Sequence, residues 1–271
     1  MTSTASRTSA RRELLIRTAV TLGVLGILAV FLFVLPRYRW EWGSVWRGER
    51  ITAFLVAAAK TLGISVVALF LSLVLGIAGG LARLSLHAVW NQAGAIYVEV
   101  VRGTPLLVQV MLAYFVFAPI CGGTLEAFGA PASVVALARN KYVIGILTLA
   151  VFSGAYVTEI VRAAVQSIDR GQTEAALSQG MTRGQAYRLI IFPQAIKRMI
   201  PPLTGQFVNL IKDSSLLMVI PGLVELTQQA SITRSSTYKD NEVLIPLALL
   251  YLAICFPLSR LARRLELRMA A

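Results

Sequence analysis

Charge is scarce in this chain: Asp, Glu, Lys and Arg make up only 14% of its 271 residues, against about 25% in an ordinary soluble domain. So few charges cannot cover a water-facing surface. Cysteine is nearly absent, and Cys121 and Cys255 fall in different segments, which argues against a disulfide framework or a cysteine-based metal cluster. His87 is the single histidine, so imidazole metal sites and histidine-based catalysis lack convergent partners. No glycine-rich phosphate loop occurs, and nucleophiles, acids and bases are scattered singly rather than clustered. The expectation is a chain with no catalytic residues, no metal site and no ATP site of its own.

What is present is hydrophobicity: 56% of the residues are apolar and the mean hydropathy is +0.70. Each membrane-crossing helix needs about 20 apolar residues. Uncharged stretches occur at 18–36, 61–82, 103–125, 142–158, 199–224 (with one interruption) and 243–259. This predicts an all-α integral membrane protein with about six transmembrane helices. The first stretch follows Arg7, Arg11, Arg12 and Arg17 but lacks an obvious small-residue cleavage site, so it reads as a retained helix.

The net charge of +13 reads as retention of basic loops on the cytoplasmic side, not as nucleic-acid binding. With a cytoplasmic N-terminus, the loops at 84–102 and 162–198 and the tail from Arg260 also lie inside. That arrangement places 16 basic residues inside and 8 outside, which favours both termini being cytoplasmic. Trp40, Trp42 and Trp46, among scattered arginines, suit an interfacial elbow between the first two spans. Gly76, Gly79 and Gly80 in the second span suit close helix packing.

The most informative interval is 166–197. Asp169 with Gln172, and Thr182 with Gln185, have the spacing of a helix-starting cap and its reciprocal partner, so two short helices are expected. Gly180 lies where a sharp turn ends the first of them, and Pro193 limits or kinks the second. A helix–glycine–helix element of this kind presents a small convex surface suited to a groove on a partner.

Here the residues resemble a known family. Glu174, Ala175 and Ala176, then Gly180 after three residues, then Ile190, Ile191, Phe192 and Pro193 after nine more, resemble the EAA loop of ATP-binding-cassette (ABC) importer permeases. The family usually has leucine where Phe192 stands. The stretches 99–109, 155–162 and 209–216 resemble the permeases for polar amino acids of the histidine, glutamine and glutamate type. The resemblance covers about residues 55–265. It implies three parts: a tail, an extra helix and an interfacial loop at 1–50, a permease core at 51–265, and a coupling loop at 166–197 within that core.

Two charges interrupt the fifth apolar stretch. Lys212 and Asp213 fall near its middle, where a charge costs about 2.5–3.5 kcal/mol on insertion scales. Asn209, Lys212 and Ser215 share one helix face, whereas Lys212 and Asp213 point about 100° apart. Thr104, Gln109, Glu159, Asn209, Lys212, Asp213 and Ser214 are the candidates for a substrate path. The competing reading is a buried network of Lys212, Asp213 and Glu159 that only holds helices together. Glu159 and Arg162 share a face near one end of the fourth span, where a structural ion pair serves equally well.

The resemblance implies a permease subunit of a binding-protein-dependent importer in the bacterial inner membrane, moving a polar amino acid by ATP-driven alternating access. It further implies an ABC ATPase dimer that carries ATP and magnesium, an extracytoplasmic solute-binding protein, a second copy of the chain or a related permease, and surrounding membrane lipid. An ion-coupled carrier or channel is an alternative that leaves the loop at 166–197 unexplained. An integral-membrane enzyme is another, and it lacks the clustered groups that it would need.

Overall fold

The computed structural model describes residues 18, 21–23, 25–26 and 39–270. Among the described residues all regular secondary structure is helical. They fall into two compact units, one ending at Ser44 and the other beginning at Val45. In the first, Trp40 and Trp42 stack in parallel with ring centroids 5.1 Å apart. The expected first span at 18–36 lies largely outside the described residues.

The second unit opens with α1, Gly48–Leu84. At 1.5 Å per residue its 37 residues extend about 55 Å, well beyond the hydrocarbon thickness of about 30 Å. Then come α2 (Ala88–Gly103) and α3 (Leu106–Ala127), which includes a π-helical segment at Leu112–Phe117. The short α4 (Ala132–Ala138) leads to α5 (Lys141–Gln166). The small helices α6 (Arg170–Ser178) and α7 (Arg183–Ala186) precede α8 (Phe192–Asp213). After a 3-10 segment at Ser214–Val219 come α9 (Leu226–Thr237) and α10 (Asp240–Ala270).

Four of the described helices are long and apolar enough to cross a membrane: Gly48–Leu84, Leu106–Ala127, Lys141–Gln166 and Asp240–Leu265. They account for the apolar stretches at 61–82, 103–125, 142–158 and 243–259. The stretch at 199–224 is not one span. α8 stops at Asp213, where the Ser214 hydroxyl turns back to donate to the Ile211 carbonyl at 2.7 Å. A turn with Gly222 at φ +70° follows, and a helix cannot continue through that left-handed conformation. The expected loop at 84–102 is instead mostly α2, which buries Gly94, Val98 and Val101 at helical spacing.

α1 and α5 pack backbone to backbone. A methyl group on Gly76 would strike Val157, one on Gly79 would strike Thr158, and one on Gly80 would strike Val161. Glycine at these three positions lets the helices approach closely. Around this seam, Leu149, Leu210, Leu217, Ile220 and Leu223 form a fully buried apolar cluster. A second cluster joins Val157, Val161 and Ile168 of the α5 region to Ile191, just before α8, and Ala195 within it.

Trp46 packs against the helices that follow it. Its ring packs on Phe54 at 4.8 Å and its Nε1 donates to the Glu242 carbonyl at 2.9 Å, which ties the start of α1 to the start of α10. Nearby, the fully buried Glu225 caps α9, accepting from the Thr227 and Gln228 amides at 2.8 and 2.7 Å. Those amides start the helix and have no carbonyl partner of their own.

Candidate functional site

The interval 166–197 folds as two short helices joined at a glycine. Asp169 starts α6 by accepting from the Gly171 amide at 2.7 Å. Gln172 does not complete the expected reciprocal box. Its backbone amide bonds the Asp169 carbonyl, while its side-chain oxygen accepts from Gln194 at 3.4 Å. α6 ends where Gly180 adopts φ +82°. The Gly180 amide donates to the Leu177 carbonyl and the Met181 amide to the Ala176 carbonyl, at 3.0 and 3.2 Å. This paired closure satisfies the last carbonyls of the helix, and a left-handed residue makes it possible.

The second expected box does form. Gln185 donates its amide to the Thr182 hydroxyl at 3.3 Å and returns its side-chain oxygen to the Thr182 amide at 2.8 Å. Within α6, Glu174 and Ala175 are exposed while Ala176 is buried, so one face is anchored and the other is presented outward. Pro193 neither ends nor sharply breaks the chain's helical course. It sits in the first turn of α8, directly after a π-helical turn at Tyr187–Ile191, and that turn opens the carbonyl ladder where proline supplies no amide.

Glu159 does not join Lys212 or Asp213. Its carboxylate meets the Arg162 guanidinium at 2.8 Å and that of Arg83, from the end of α1, at 3.7 Å. Arg162 also donates to Gln166. On the neighbouring turn, the Arg102 guanidinium lies over the Tyr156 ring at 4.9 Å. Sequence spacing identified the Glu159–Arg162 pair, but Arg83 enters from 76 residues away in the chain.

Thr104 and Gln109 bond to each other. Gln109 Nε2 donates to the Val101 carbonyl at 2.7 Å and to the Thr104 hydroxyl at 2.8 Å. The amide thus bridges the break between α2 and α3 at Gly103–Pro105. The two residues also border a mostly apolar cavity of about 460 Å³, with Val100, Leu112, Leu147 and Val151.

On α8, Asn209 and Lys212 are exposed and Asp213 is half-buried, and Ser214, just beyond the helix, is buried. The proposed network of Lys212, Asp213 and Glu159 is absent from the described residues, because α8 turns Lys212 towards α10 rather than towards α5. A polar pair missed in the sequence joins α8 to α5 instead: Gln206 Nε2 donates to Ser153 Oγ at 3.2 Å, both side chains buried. An uncharged glutamine one turn before Asn209 was the available signal.

The arrangement offers helical spans, a protruding helical loop and polar groups along α8, which suits movement of a solute better than bond chemistry. Comparison with known proteins agrees. The family model described as a binding-protein-dependent transport system inner membrane component matches residues 72–271. The chain is 36% identical over 231 residues to the glutamine transport system permease protein GlnP of Escherichia coli K12, covering 85% of this chain and 98% of that protein. It is 41% identical over 209 residues to a probable glutamine ABC transporter permease protein, GlnM, of Bacillus subtilis strain 168, covering 77% and 89% of the two chains.

Among solved structures, a crystal structure of an amino acid ABC transporter with histidines matches with a TM-score of 0.71 and 34% identity, over 85% of this chain and 100% of that one. The MetNI methionine ABC transporter in inward-facing conformations shares the fold, with a TM-score of 0.62 at 20% identity over 81% and 99% of the chains. With a family model covering most of its length and these relatives across its core, the chain belongs to the inner-membrane permease family of binding-protein-dependent ABC importers, as a multi-pass transport subunit and not an enzyme.

Proposed function

We propose that this permease moves a polar amino acid of the glutamine or glutamate type inward across the bacterial inner membrane. The proteins named above for glutamine transport support that substrate class. The observation that carries the mechanism is the element α6–Gly180–α7, with Glu174 and Ala175 facing outward from an anchored Ala176. In this reading Glu174, Ala175, Ala176, Gly180 and Pro193 shape the surface that docks on an ABC ATPase dimer. ATP and magnesium belong to that dimer, and its cycle drives alternating access in the permease.

An extracytoplasmic solute-binding protein delivers the amino acid, and a second copy of the chain or a related permease completes the path. The loop at 166–197 lies on the cytoplasmic side, as do both termini. Residues 1–50 form an appended segment and 51–265 the transporting core. Thr104, Gln109, Glu159, Asn209, Lys212, Asp213 and Ser214 belong to the path or its supports. Of these, Thr104, Asn209 and Lys212 are exposed, and the Thr104 hydroxyl is already bonded by Gln109.

Reconstitution of the permease with its ATPase and solute-binding protein in proteoliposomes tests the reading. ATP-dependent accumulation of labelled glutamine or glutamate is the expected result, and uptake that persists without ATP on an ion gradient overturns it.

A further inference from the structure

α1 and α5 run parallel and end together. Gly76, Gly79 and Gly80 meet Val157, Thr158 and Val161 in the same order, and the two helices stop at Leu84 and Gln166. At their shared end lies a cavity of about 610 Å³, bordered by the α1–α2 turn on one side and by α6 and the π-helical turn before α8 on the other. Arg83, Asn91, Gln166, Arg170, Thr173 and Tyr187 stand on its border, and no acid does.

Both arginines have bonding capacity left. Arg83 donates from Nη1 to Asn91 at 3.4 Å, while its buried Nε faces Glu159 at 3.7 Å and has no hydrogen-bond partner. Glu159 lies deeper along α5 and is shared with Arg162, so these three residues keep one net positive charge. Among the described residues no hydrogen bond or ion pair engages the side chain of Arg170 or Thr173. Asp169, next to Arg170 in sequence, is turned to the Gly171 amide. Arg170 and Thr173 belong to the first turn of α6, where the helix dipole also favours an anion.

An apolar strip begins at the border of this cavity. α2 runs back along α1 and α5, with Gly94 against Arg83 and Gly79 and the Tyr97 hydroxyl donating to the Val151 carbonyl at 2.6 Å. Val89, Ala93, Ile96 and Val100 follow at steps of four, three and four, so they share one face of α2, and all four are exposed. That strip is about 16 Å long. Leu86 and Trp90 at its start are 85% and 62% exposed, and tryptophan suits the level of the lipid headgroups. A cationic cavity at the end of two spans, continued by an apolar strip, is complementary to a molecule with an anionic head and hydrocarbon tails. A soluble anion would leave the strip unused.

We propose that this cavity seats the phosphate of an anionic phospholipid from the cytoplasmic leaflet, with its acyl chains along the exposed face of α2. Arg170 and Arg83 offer planar forks to the phosphate oxygens, and the Thr173 and Tyr187 hydroxyls donate to the lone pairs that remain. Basic cavities between helices at the cytoplasmic surface recognise lipid headgroups in this way. The choice of leaflet rests on the reading of the loop at 166–197 as the side that faces the ATPase. The seated lipid fills the space between the α1–α2 turn and the base of α6, and so ties that loop to the bilayer.

The test is native mass spectrometry of the permease–ATPase complex in detergent doped with equal amounts of phosphatidylglycerol and phosphatidylethanolamine. The unmodified complex should hold one phosphatidylglycerol per permease chain more tightly than any other lipid. Arg170→Gln removes one charge-assisted bond and should weaken that retention about tenfold, and Arg170→Lys should recover most of the loss. Thr173→Leu should lower occupancy by filling the cavity with no change of charge. Arg188→Gln alters an exposed arginine of the same loop that does not border the cavity, and it should leave retention unchanged. In lipid-free detergent the melting temperatures should agree, whereas added phosphatidylglycerol should raise that of the unmodified complex and not that of Arg170→Gln.

The proposal is overturned if the two lipids are retained equally, or if phosphatidylglycerol raises the melting temperature of Arg170→Gln as much as that of the unmodified complex. Equal losses in Arg170→Gln and Arg188→Gln also overturn it, because they would mean diffuse attraction to a basic surface and no seat. So does displacement of the tightly held lipid by inorganic phosphate in the unmodified complex but not in Arg170→Gln, which would make the cavity a site for a soluble phosphate. The assay contains neither amino acid nor ATP, so failure of the seat and failure of the transport reading are separate results.

Discussion

Glu159 and Arg162 are joined one turn apart on α5, Oε2 to Nη2 at 2.8 Å, and the same carboxylate faces Arg83 from α1 at 3.7 Å. One acid therefore stands between two guanidinium groups at the end of the glycine-lined seam between α1 and α5. The carboxylate holds α1 to α5 as much as it satisfies either arginine.

Glu159→Gln should consequently destabilise the subunit. Side-chain exposure of 20–28% across the three residues puts the loss below that of a fully buried pair, at about 1–2 kcal/mol. Melting temperature of the purified complex should fall, and Arg83→Gln in the same background should cost less than it does alone. Additive losses would mean that Arg83 and Glu159 do not act together.

Gln109 is expected to act through structure. Gln109→Leu keeps the approximate size but removes the donors that tie Val101 and Thr104 together. Leaving those acceptors unmet should cost about 1–3 kcal/mol. Thermal unfolding checks this: an unchanged melting temperature with altered substrate affinity would instead make Gln109 a substrate contact.

The seam itself makes a graded prediction. Gly80→Ala and Gly80→Val push progressively more volume against Val161, and overpacking of this kind costs about 1–3 kcal/mol. Assembly with the ATPase and melting temperature should fall in the order Gly, Ala, Val. The same pair of substitutions at Gly63, where nothing lies within 4 Å of an added Cβ, should leave both nearly unchanged.

Much of this was legible in the sequence where the signal is local. The four apolar stretches, the Thr182–Gln185 box and the Gly180 turn each depend on residues a few positions apart, and each is present in the fold. Helix α2 was missed because Asn91, Gln92, Glu99 and Arg102 made a polar average, although Gly94, Val98 and Val101 carried the helical period. The end of α8 was missed because hydropathy does not register a serine hydroxyl bonding back to Ile211, while Pro221 and Gly222 did signal a turn. The partners of Glu159 depend on which way helices face in space. Charge spacing along one segment gave Arg162 to Glu159, but it held no trace of Arg83 on α1.

The central claim is that the element closed at Gly180 passes motion between this permease and a separate ATPase, and Gly180→Val tests it most directly. A β-branched residue held at φ +82° carries a backbone strain of about 1–3 kcal/mol, while free space around the position removes any clash from the comparison. ATP hydrolysis by the reconstituted importer should be measured with and without the loaded solute-binding protein. The account predicts that the variant inserts and retains basal hydrolysis but loses stimulation by the loaded binding protein together with uptake. Full stimulation and uptake in Gly180→Val would contradict it.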